Sequence, residues 1–139
     1  MLFVILRRAY EFVIWKTLHL RKQLEALFRL GAYQPLAAEG TKSAHLCVFA
    51  RIHQEMTAVV IVPRLTYGLL AGNPVWPLDE TVWEDTRVRL PGTTTIWRNV
   101  LTGERLSFSP EEGQTLMMHR ALKSFPLALL TPDTVTDQD

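Results

Sequence analysis

The feature that most constrains the fold is an unbroken apolar run at residues 58–62, within the segment TAVVIVPRL (57–65). Most of its residues are β-branched, and such side chains are stiff about χ1 and suit a pleated strand. A strand with one face in water alternates apolar and polar residues, whereas a run that is apolar throughout indicates burial on both faces. Pro63 ends the run because proline has no N–H to donate. We therefore predict a central strand against which the other segments pack.

The composition is that of a globular domain. The chain has 139 residues, of which 47% are hydrophobic, and this is enough for a core of its own. Its net charge of +1 provides no electrostatic footprint for nucleic acid or an anionic membrane. The one cysteine, Cys47, excludes an internal disulfide and fits a cytoplasmic location. The apolar start is interrupted by Arg7 and Arg8 and is too short for a signal peptide or a membrane span, so we expect a soluble protein.

The first thirty residues predict a long helix. Residues 2–30 contain no proline or glycine, and Gly31 stands where a helix ends. Leu20, Leu24 and Leu27 recur at helical spacing and share one face, whereas the first half is apolar around nearly its whole circumference. A domain of this size has no obvious place to bury such a helix, so we expect it to meet a partner. The predicted interface residues are Phe3, Leu6, Tyr10, Phe12, Val13, Trp15 and Leu18.

The remainder of the chain predicts short strands separated by turns. The predicted strands are residues 34–39, 44–53, 57–62, 86–90, 95–100, 104–108 and 127–130. Residues 44–53 pair with the central strand, and residues 95–100 pair with 104–108, as two antiparallel hairpins. Residues 116–125 fit either a strand or a helical turn.

The fold class predicted from this pattern is mainly β: an antiparallel β-sandwich of about seven strands, preceded by a long N-terminal α-helix. We divide the chain into an N-terminal helix at 1–31, a β-sandwich domain at 32–131 and a disordered acidic tail at 132–139.

Motifs of common catalytic and cofactor sites are missing. The sequence has no glycine-rich phosphate loop, GxSxG, HExxH or CxxC, and its histidines are scattered, so we predict no catalytic residue, cofactor or metal site. Neighbouring carboxylates such as Glu84 and Asp85 would point to opposite faces of a strand and are interpreted as turn or capping groups. Cys47 is interpreted as a packed thiol.

Aromatic residues in loops provide a second hypothesis, because aromatic rings stack on the apolar faces of sugars. The candidates for glycan contact are Trp76, Trp83 and Tyr67, which lie in or near a proline-rich loop. The competing interpretation is that these rings fill the edge of the sandwich. Trp97 alternates within a predicted strand and is assigned to the core.

Several segments together resemble the carboxy-terminal domain of maltooligosyltrehalose synthase, which belongs to the α-amylase-like glycoside hydrolases. The segments are LRKQLEALFRLGAYQPLAAEG (20–40), HLCVFARIH (45–53), VVIVPRL (59–65), VWEDTRVRLP (82–91), WRNVLTGERL (97–106) and FPLALL (125–130). The resemblance implies an α-amylase-type terminal β-sandwich. It also implies a parent enzyme that converts the reducing-end α-1,4 link of a maltooligosaccharide into an α,α-1,1 link by intramolecular transglucosylation.

The chain differs from this family in one important respect. Family members place their catalytic carboxylates on a (β/α)₈ barrel of about 250 residues, which is longer than this entire sequence. None of the family's catalytic residues maps onto the chain, so the chain alone is predicted to be inactive although it resembles part of an isomerase. The leading hypothesis is a non-catalytic terminal domain with a structural or docking role, in an enzyme of trehalose biosynthesis.

The resemblance and the helix together define the expected partners. Through the helix, the chain would bind a barrel-bearing catalytic chain or a second copy of itself. The alternative function is a stand-alone α-glucan-binding module that uses Trp76, Trp83 and Tyr67. Neither a nucleic-acid partner nor a membrane partner is expected.

Overall fold

The computed structural model describes residues 2–69, 80–109, 111 and 113–133. Helices and strands alternate irregularly after an N-terminal helical pair. The elements are α1 (Leu2–Gln23), α2 (Glu25–Leu30), β1 (Ala32–Pro35), β2 (Ala38–Glu39), a 3₁₀ turn (Ser43–His45), β3 (Leu46–His53), β4 (Met56–Pro63), α3 (Thr66–Leu69), α4 (Glu80–Trp83), β5 (Arg87–Arg89), β6 (Ile96–Asn99), β7 (Arg105–Ser107), β8 (Thr115–Met117), α5 (Met118–Ala121) and β9 (Ala128–Pro132).

The strands form two antiparallel sheets. The larger sheet has six strands in the order β1–β3–β4–β9–β6–β7, and the smaller has three in the order β2–β5–β8. The predicted central strand is β4, which lies inside the larger sheet between β3 and β9. The predicted fold class is therefore confirmed. The described residues form nine strands rather than about seven, because segment 34–39 overlaps two short strands and residues 115–117 form a further one.

The two sheets enclose one main core. Trp83 and Trp97 are its largest fully buried side chains, and Trp97 was correctly assigned to the core. The ambiguous segment near residue 116 contains both predicted structures in succession, β8 followed by α5, and it contributes Leu116, Met118 and Leu122 to this core. Each buried aromatic ring removes about 150–250 Å² from water, so these two tryptophans are large contributors to stability.

Strand β4 is covered on both faces. Val59 and Ile61 point into the core between the sheets, whereas Val60 points to the opposite face. There Val60 packs in a second cluster with Leu20 of α1 and Leu129 of β9. The alternation explains why every position of the run is apolar, since one set of side chains faces the smaller sheet and the other faces the helices.

The position of the helices corrects the sequence analysis, which found no obvious place for them. Leu20, Leu24 and Phe28 pack on the outer face of the larger sheet, in the cluster that contains Leu129. The Arg51 guanidinium of β3 also donates to the Phe28 carbonyl at 2.9 Å. The second half of the helical segment is therefore a third layer of the domain. Its periodicity identified the buried face but not the surface that receives it.

The predicted single helix is divided at Leu24. This residue has φ −114° and ψ 45°, which separates α1 from α2, although its N–H still donates to the Leu20 carbonyl at 2.8 Å. The helix runs without interruption from Leu2 to Gln23. Gly31 follows the last helical residue, as predicted, and its N–H donates to the Leu27 carbonyl at 2.9 Å.

Both predicted hairpins are present. Strands β3 and β4 pair from Leu46 opposite Pro63 to His53 opposite Met56, and β6 pairs with β7. The second hairpin is fixed by Asn99, which is buried and whose side-chain oxygen accepts from the Leu101 N–H at 3.1 Å. A buried amide that is hydrogen-bonded in this way holds the turn and β9 in register.

The last strand extends further than predicted. Residues 132 and 133 were placed in a disordered tail, but Pro132 pairs with Trp97 and ends β9. The Asp133 carboxylate, which is largely buried, lies 2.6 Å from the Arg105 Nε and 3.5 Å from an Arg98 nitrogen. Residues 134–139 of the predicted tail lie outside the described residues.

Candidate functional site

An apolar ridge on helix α1 is the most prominent exposed feature of the described surface. We define the helix ridge as Tyr10, Ile14, Trp15 and Leu18. Successive members are one, three or four residues apart along α1, so they lie along one side of the helix. Tyr10 is 68% exposed, Trp15 55% and Leu18 56%, and Ile14 is exposed as well. Exposed apolar side chains grouped on one side of a helix typically mark an interaction site.

The ridge lies opposite the face by which α1 binds the sheet. Leu18 and Leu20 are separated by about 200° around a helix that turns about 100° per residue. Leu20 is only 6% exposed and packs on the sheet, whereas Leu18 is mainly in solvent. The nearly all-round apolar pattern therefore has two parts: one side packs on the sheet, and the other is exposed among the described residues.

Aromatic and cationic contacts order the ridge. The ring centroids of Trp15 and His19 are 4.0 Å apart, and the Lys16 ammonium lies 5.6 Å from the Trp15 centroid. Phe12, beside the ridge, makes an edge-to-face contact with Phe125 of the sandwich at 6.0 Å. Contacts of this kind restrict the rotamers of an indole, and a side chain that is restricted before binding loses less entropy when a partner binds.

The predicted interface residues are partly accounted for by this geometry. Tyr10, Phe12, Trp15 and Leu18 are exposed, and Val13 is half-buried. The side chains of Phe3 and Leu6 lie outside the described residues. The sequence analysis did not name Ile14 as an interface residue, although its spacing of four from Tyr10 and from Leu18 was a usable signal.

Of the three predicted glycan-contact residues, Trp83 is the one whose side chain the structure describes. Trp83 was proposed to stack on sugar, but it is fully buried in the main core and its ring faces are covered by protein. Trp83 is therefore not placed to contact a glycan, contrary to that hypothesis. Trp76 lies outside the described residues. Tyr67 belongs to α3, and its side chain is not among those described.

A different aromatic pair, which the sequence analysis missed, is on the outer face of the larger sheet. Tyr33 of β1 is exposed, and its ring centroid lies 5.2 Å from that of Phe49 of β3. The two residues are diagonal neighbours across the β1–β3 pair. Strand alternation puts Phe49 on the face opposite Val48, but the partner strand and its register are needed to find Tyr33. Cys47 on the same face is exposed, which corrects its assignment as a packed thiol.

The neighbouring carboxylates Glu84 and Asp85 converge on one hydroxyl. The Thr41 hydroxyl lies 2.6 Å from the Glu84 Oε2 and 3.0 Å from the Asp85 Oδ1. Glu84 has φ +51° and is in a turn rather than a strand, so the expectation that the two carboxylates point apart was wrong. They act as predicted in another respect, since they anchor the turn that contains Thr41 to the start of β5.

The electrostatics of this turn are visible at Asp85. The Thr41 N–H donates to Asp85 at 3.0 Å, and this hydrogen bond, followed by the one from the Thr41 hydroxyl, lowers the pKa of the Asp85 carboxyl. A lowered pKa keeps the group ionised and acceptor-only, which is unsuited to a general acid. Lys42 continues the anchor, because its N–H donates to the buried Thr86 hydroxyl at 3.0 Å.

The described residues were also compared with what a cleft, a metal site and a membrane helix require. A cleft of about 290 Å³ lies between the end of α1, the β3–β4 turn and the end of β9, and its lining includes Leu24, Met56 and Pro132. Among the described residues, no group of three or more histidine, cysteine or acidic side chains is placed to bind a metal ion. Over the same residues, no helix combines the length and the apolar character that a membrane crossing requires.

Comparison with known proteins gives one informative match. No family model and no curated protein matches the chain. Among solved structures, a single-substitution variant of maltooligosyltrehalose synthase from Arthrobacter ramosus superposes with a TM-score of 0.67 and 26% identity, over 90% of this chain. The chain resembles one part of that enzyme. The match covers only 14% of the synthase chain, and it confirms the resemblance that the sequence segments indicated.

Proposed function

We propose that the chain is a non-catalytic terminal β-sandwich domain of a maltooligosyltrehalose synthase-like protein, and that it docks onto the catalytic part through the helix ridge. The parent activity in this proposal is the conversion of maltooligosaccharide ends into trehalosyl ends in trehalose biosynthesis. The observation that supports it best is the partial match, which covers 90% of this chain and 14% of the synthase. A domain that resembles a small part of a larger enzyme is expected to have a surface for the rest.

The helix ridge is the surface that fits this role. Trp15 alone is 55% exposed, and for an aromatic side chain of about 200 Å² this leaves about 110 Å² to bury. At about 25 cal/mol per Å², its burial would stabilise a complex by up to about 3 kcal/mol. Tyr10, Ile14 and Leu18 add to this area. A central cluster containing Trp and Tyr is typical of residues that dominate binding energy.

The carboxylate chemistry of the chain supports a non-catalytic role. Glu84 and Asp85 are adjacent acids of the kind that glycoside chemistry uses, but both accept from Thr41 and hold a turn. In a glycoside-processing pair, the two carboxyl groups flank a sugar, and one of them has a raised pKa. Asp85 has the opposite shift. The division into a helix that ends before Gly31 and a sandwich that follows is part of this proposal.

Two assays test the proposal. First, the chain alone is incubated with maltopentaose, and the expected result is no trehalosyl product; any product would show that the chain is an enzyme. Second, this chain replaces the matching segment of the Arthrobacter ramosus synthase. The expected result is a folded chimera that still converts maltopentaose. A chimera that is folded by circular dichroism but inactive would contradict the docking role.

The alternative proposal is an α-glucan-binding module. The specific observation in its favour is the exposed Tyr33 ring beside the half-buried Phe49 ring, since two neighbouring rings on one face of a sheet can stack on successive sugars. Trp76 and Tyr67 remain candidates in this proposal. Calorimetric titration with maltopentaose separates the two functions. Binding that is lost in Tyr33→Ala would favour the module, and no heat of binding is expected for a docking domain.

A further inference from the structure

The helix ridge has positive charge at both of its ends. Arg7 and Arg8 precede Tyr10, and Arg21 and Lys22 follow Leu18, and all four side chains are exposed. Helix α1 contains five basic residues and one acidic residue, which gives it a charge of +4. The whole chain is only +1, so the rest of it has a charge of −3. The apolar ridge and the positive charge are therefore concentrated on the same element.

This charge pattern disfavours a second copy of the chain on the ridge. In an antiparallel pair of α1 helices, the arginines at one end would face Arg21 and Lys22 of the other copy. In a parallel pair, each cationic end would face itself. Like charges placed together at an interface repel each other and weaken association. Either arrangement would offset a large part of the gain from burying the ridge.

We propose that the occupant of the helix ridge is a groove on a protein partner, with an apolar floor and carboxylates at both of its ends. This inference rests on the proposed function and specifies the chemistry of the docking partner. Leu18 and its neighbours would occupy the floor, while Arg8 at one end and Lys22 at the other would pair with Asp or Glu side chains. Such pairs at the rim determine orientation and accelerate association more than they add affinity.

Glu11 favours a protein over an anionic lipid surface. This side chain is exposed, lies on the ridge side of the helix seven residues before Leu18, and pairs with Arg7 at 3.2 Å. A lipid surface places negative charge along the whole helix and so would approach Glu11 as well. A protein groove can place its carboxylates only at the two ends. The matched synthase also contains the similar domain within a single longer polypeptide, so its surroundings there are protein.

The test uses this chain as a source of the complementary surface. The triple variant Arg8→Glu, Arg21→Glu and Lys22→Glu keeps the ridge and reverses the charge at its ends, which gives it the chemistry proposed for the partner. Sedimentation velocity at about 0.01 M salt, where the Debye length is about 30 Å, measures wild type alone, variant alone and their mixture. Circular dichroism checks the fold of each chain. Matched controls are Leu18→Ala on the ridge and Leu30→Ala, a leucine of similar exposure away from it.

The expected result is a mixed dimer of wild type and variant whose affinity is at least tenfold higher than that of the wild type for itself. This mixed dimer should dissociate at about 1 M salt, and Leu18→Ala but not Leu30→Ala should weaken it. Self-association of the wild type that is as tight as the mixed dimer would indicate that the ridge binds a second copy of the chain. Tighter binding to phosphatidylglycerol vesicles than to the variant would assign it to lipid. Either outcome, or no association at all, would refute the proposed acidic groove. The synthase chimera would still test whether the domain docks onto the catalytic part. A mixed dimer insensitive to Leu18→Ala would refute the ridge as the docking surface, whereas the assignment as a terminal domain, which is supported by the partial match, would still be tested by the chimera.

Discussion

Two leucines on helix α1, two residues apart, are expected to lose very different amounts of stability on the same substitution. Leu20 is 6% exposed and packs with Leu101 and Leu129 on the outer face of the larger sheet. Leu18 is 56% exposed on the helix ridge. The substitution Leu20→Ala therefore removes buried atoms and leaves a cavity, whereas Leu18→Ala removes atoms that are mostly in water.

The magnitudes follow from these environments. A buried Leu→Ala change costs about 2–5 kcal/mol, and the small peripheral cluster around Leu20 can partly collapse, which places the cost near 2–3 kcal/mol. Leu18→Ala is expected to change the free energy of unfolding by no more than about 0.5 kcal/mol, because alanine is also a good helix former. With a urea m-value of about 2 kcal/mol/M, Leu20→Ala would lower the unfolding midpoint by about 1 M.

Urea unfolding followed by circular dichroism at two protein concentrations measures both effects. Equal losses for Leu18→Ala and Leu20→Ala would refute the division of α1 into a bound face and a free ridge. A loss for Leu18→Ala that grows with protein concentration would indicate self-association, because an interface between copies makes stability depend on concentration.

Three further predictions concern the turns and the end of β9. Hydrogen bonds from Thr41 lower the pKa of Asp85, so their contribution to stability is present above the ordinary carboxyl pKa and is lost as the pH falls through the lowered value. In an NMR titration, Thr41→Ala should raise the Asp85 pKa only in part, since the hydrogen bond from the backbone N–H remains. An unchanged Asp85 pKa would contradict the geometry. Gly40 has φ +108°, and a Cβ there would lie 2.7 Å from a backbone atom, whereas Gly103 has φ +80° and open space around it. In urea unfolding, Gly40→Ala should therefore lower the free energy of unfolding by more than about 2 kcal/mol, and Gly103→Ala by about 1 kcal/mol. Equal losses would refute the backbone contact at Gly40. Asp133→Asn removes a carboxylate 2.6 Å from an arginine nitrogen and should lower the free energy of unfolding by about 1 kcal/mol, with a smaller loss at high salt. A loss that does not depend on salt would argue against an ionic origin.

The sequence was sufficient to predict the central strand and both hairpins. The run at 58–62 could be interpreted because burial on both faces removes the polar alternation that other strands show. The sequence did not reveal that Val60 faces a helix while Ile61 faces the second sheet. Amphipathic periodicity defines a buried face of a helix, but the surface that receives this face depends on contacts distant in sequence.

The candidate site was only partly predictable for similar reasons. An apolar circumference identified α1 as an interaction element, but separating the ridge from the buried side required the position of Leu20 on the sheet. Trp83 was a candidate for glycan contact because it lies near a proline-rich loop, and its helical turn is too short for periodicity to show that it is buried. The convergence of Glu84 and Asp85 depends on a positive φ at Glu84, which residue type does not predict.

The central claim is that the helix ridge docks this domain onto a catalytic part. Its most direct test is the rate at which the synthase chimera converts maltopentaose, measured with Trp15→Ala and Leu18→Ala together and, as a control, with Leu30→Ala. The double ridge variant is expected to lose most of the activity and to unfold in two transitions, whereas Leu30→Ala is expected to match the unsubstituted chimera. A double variant that is as active and as cooperative as the control would contradict the claim.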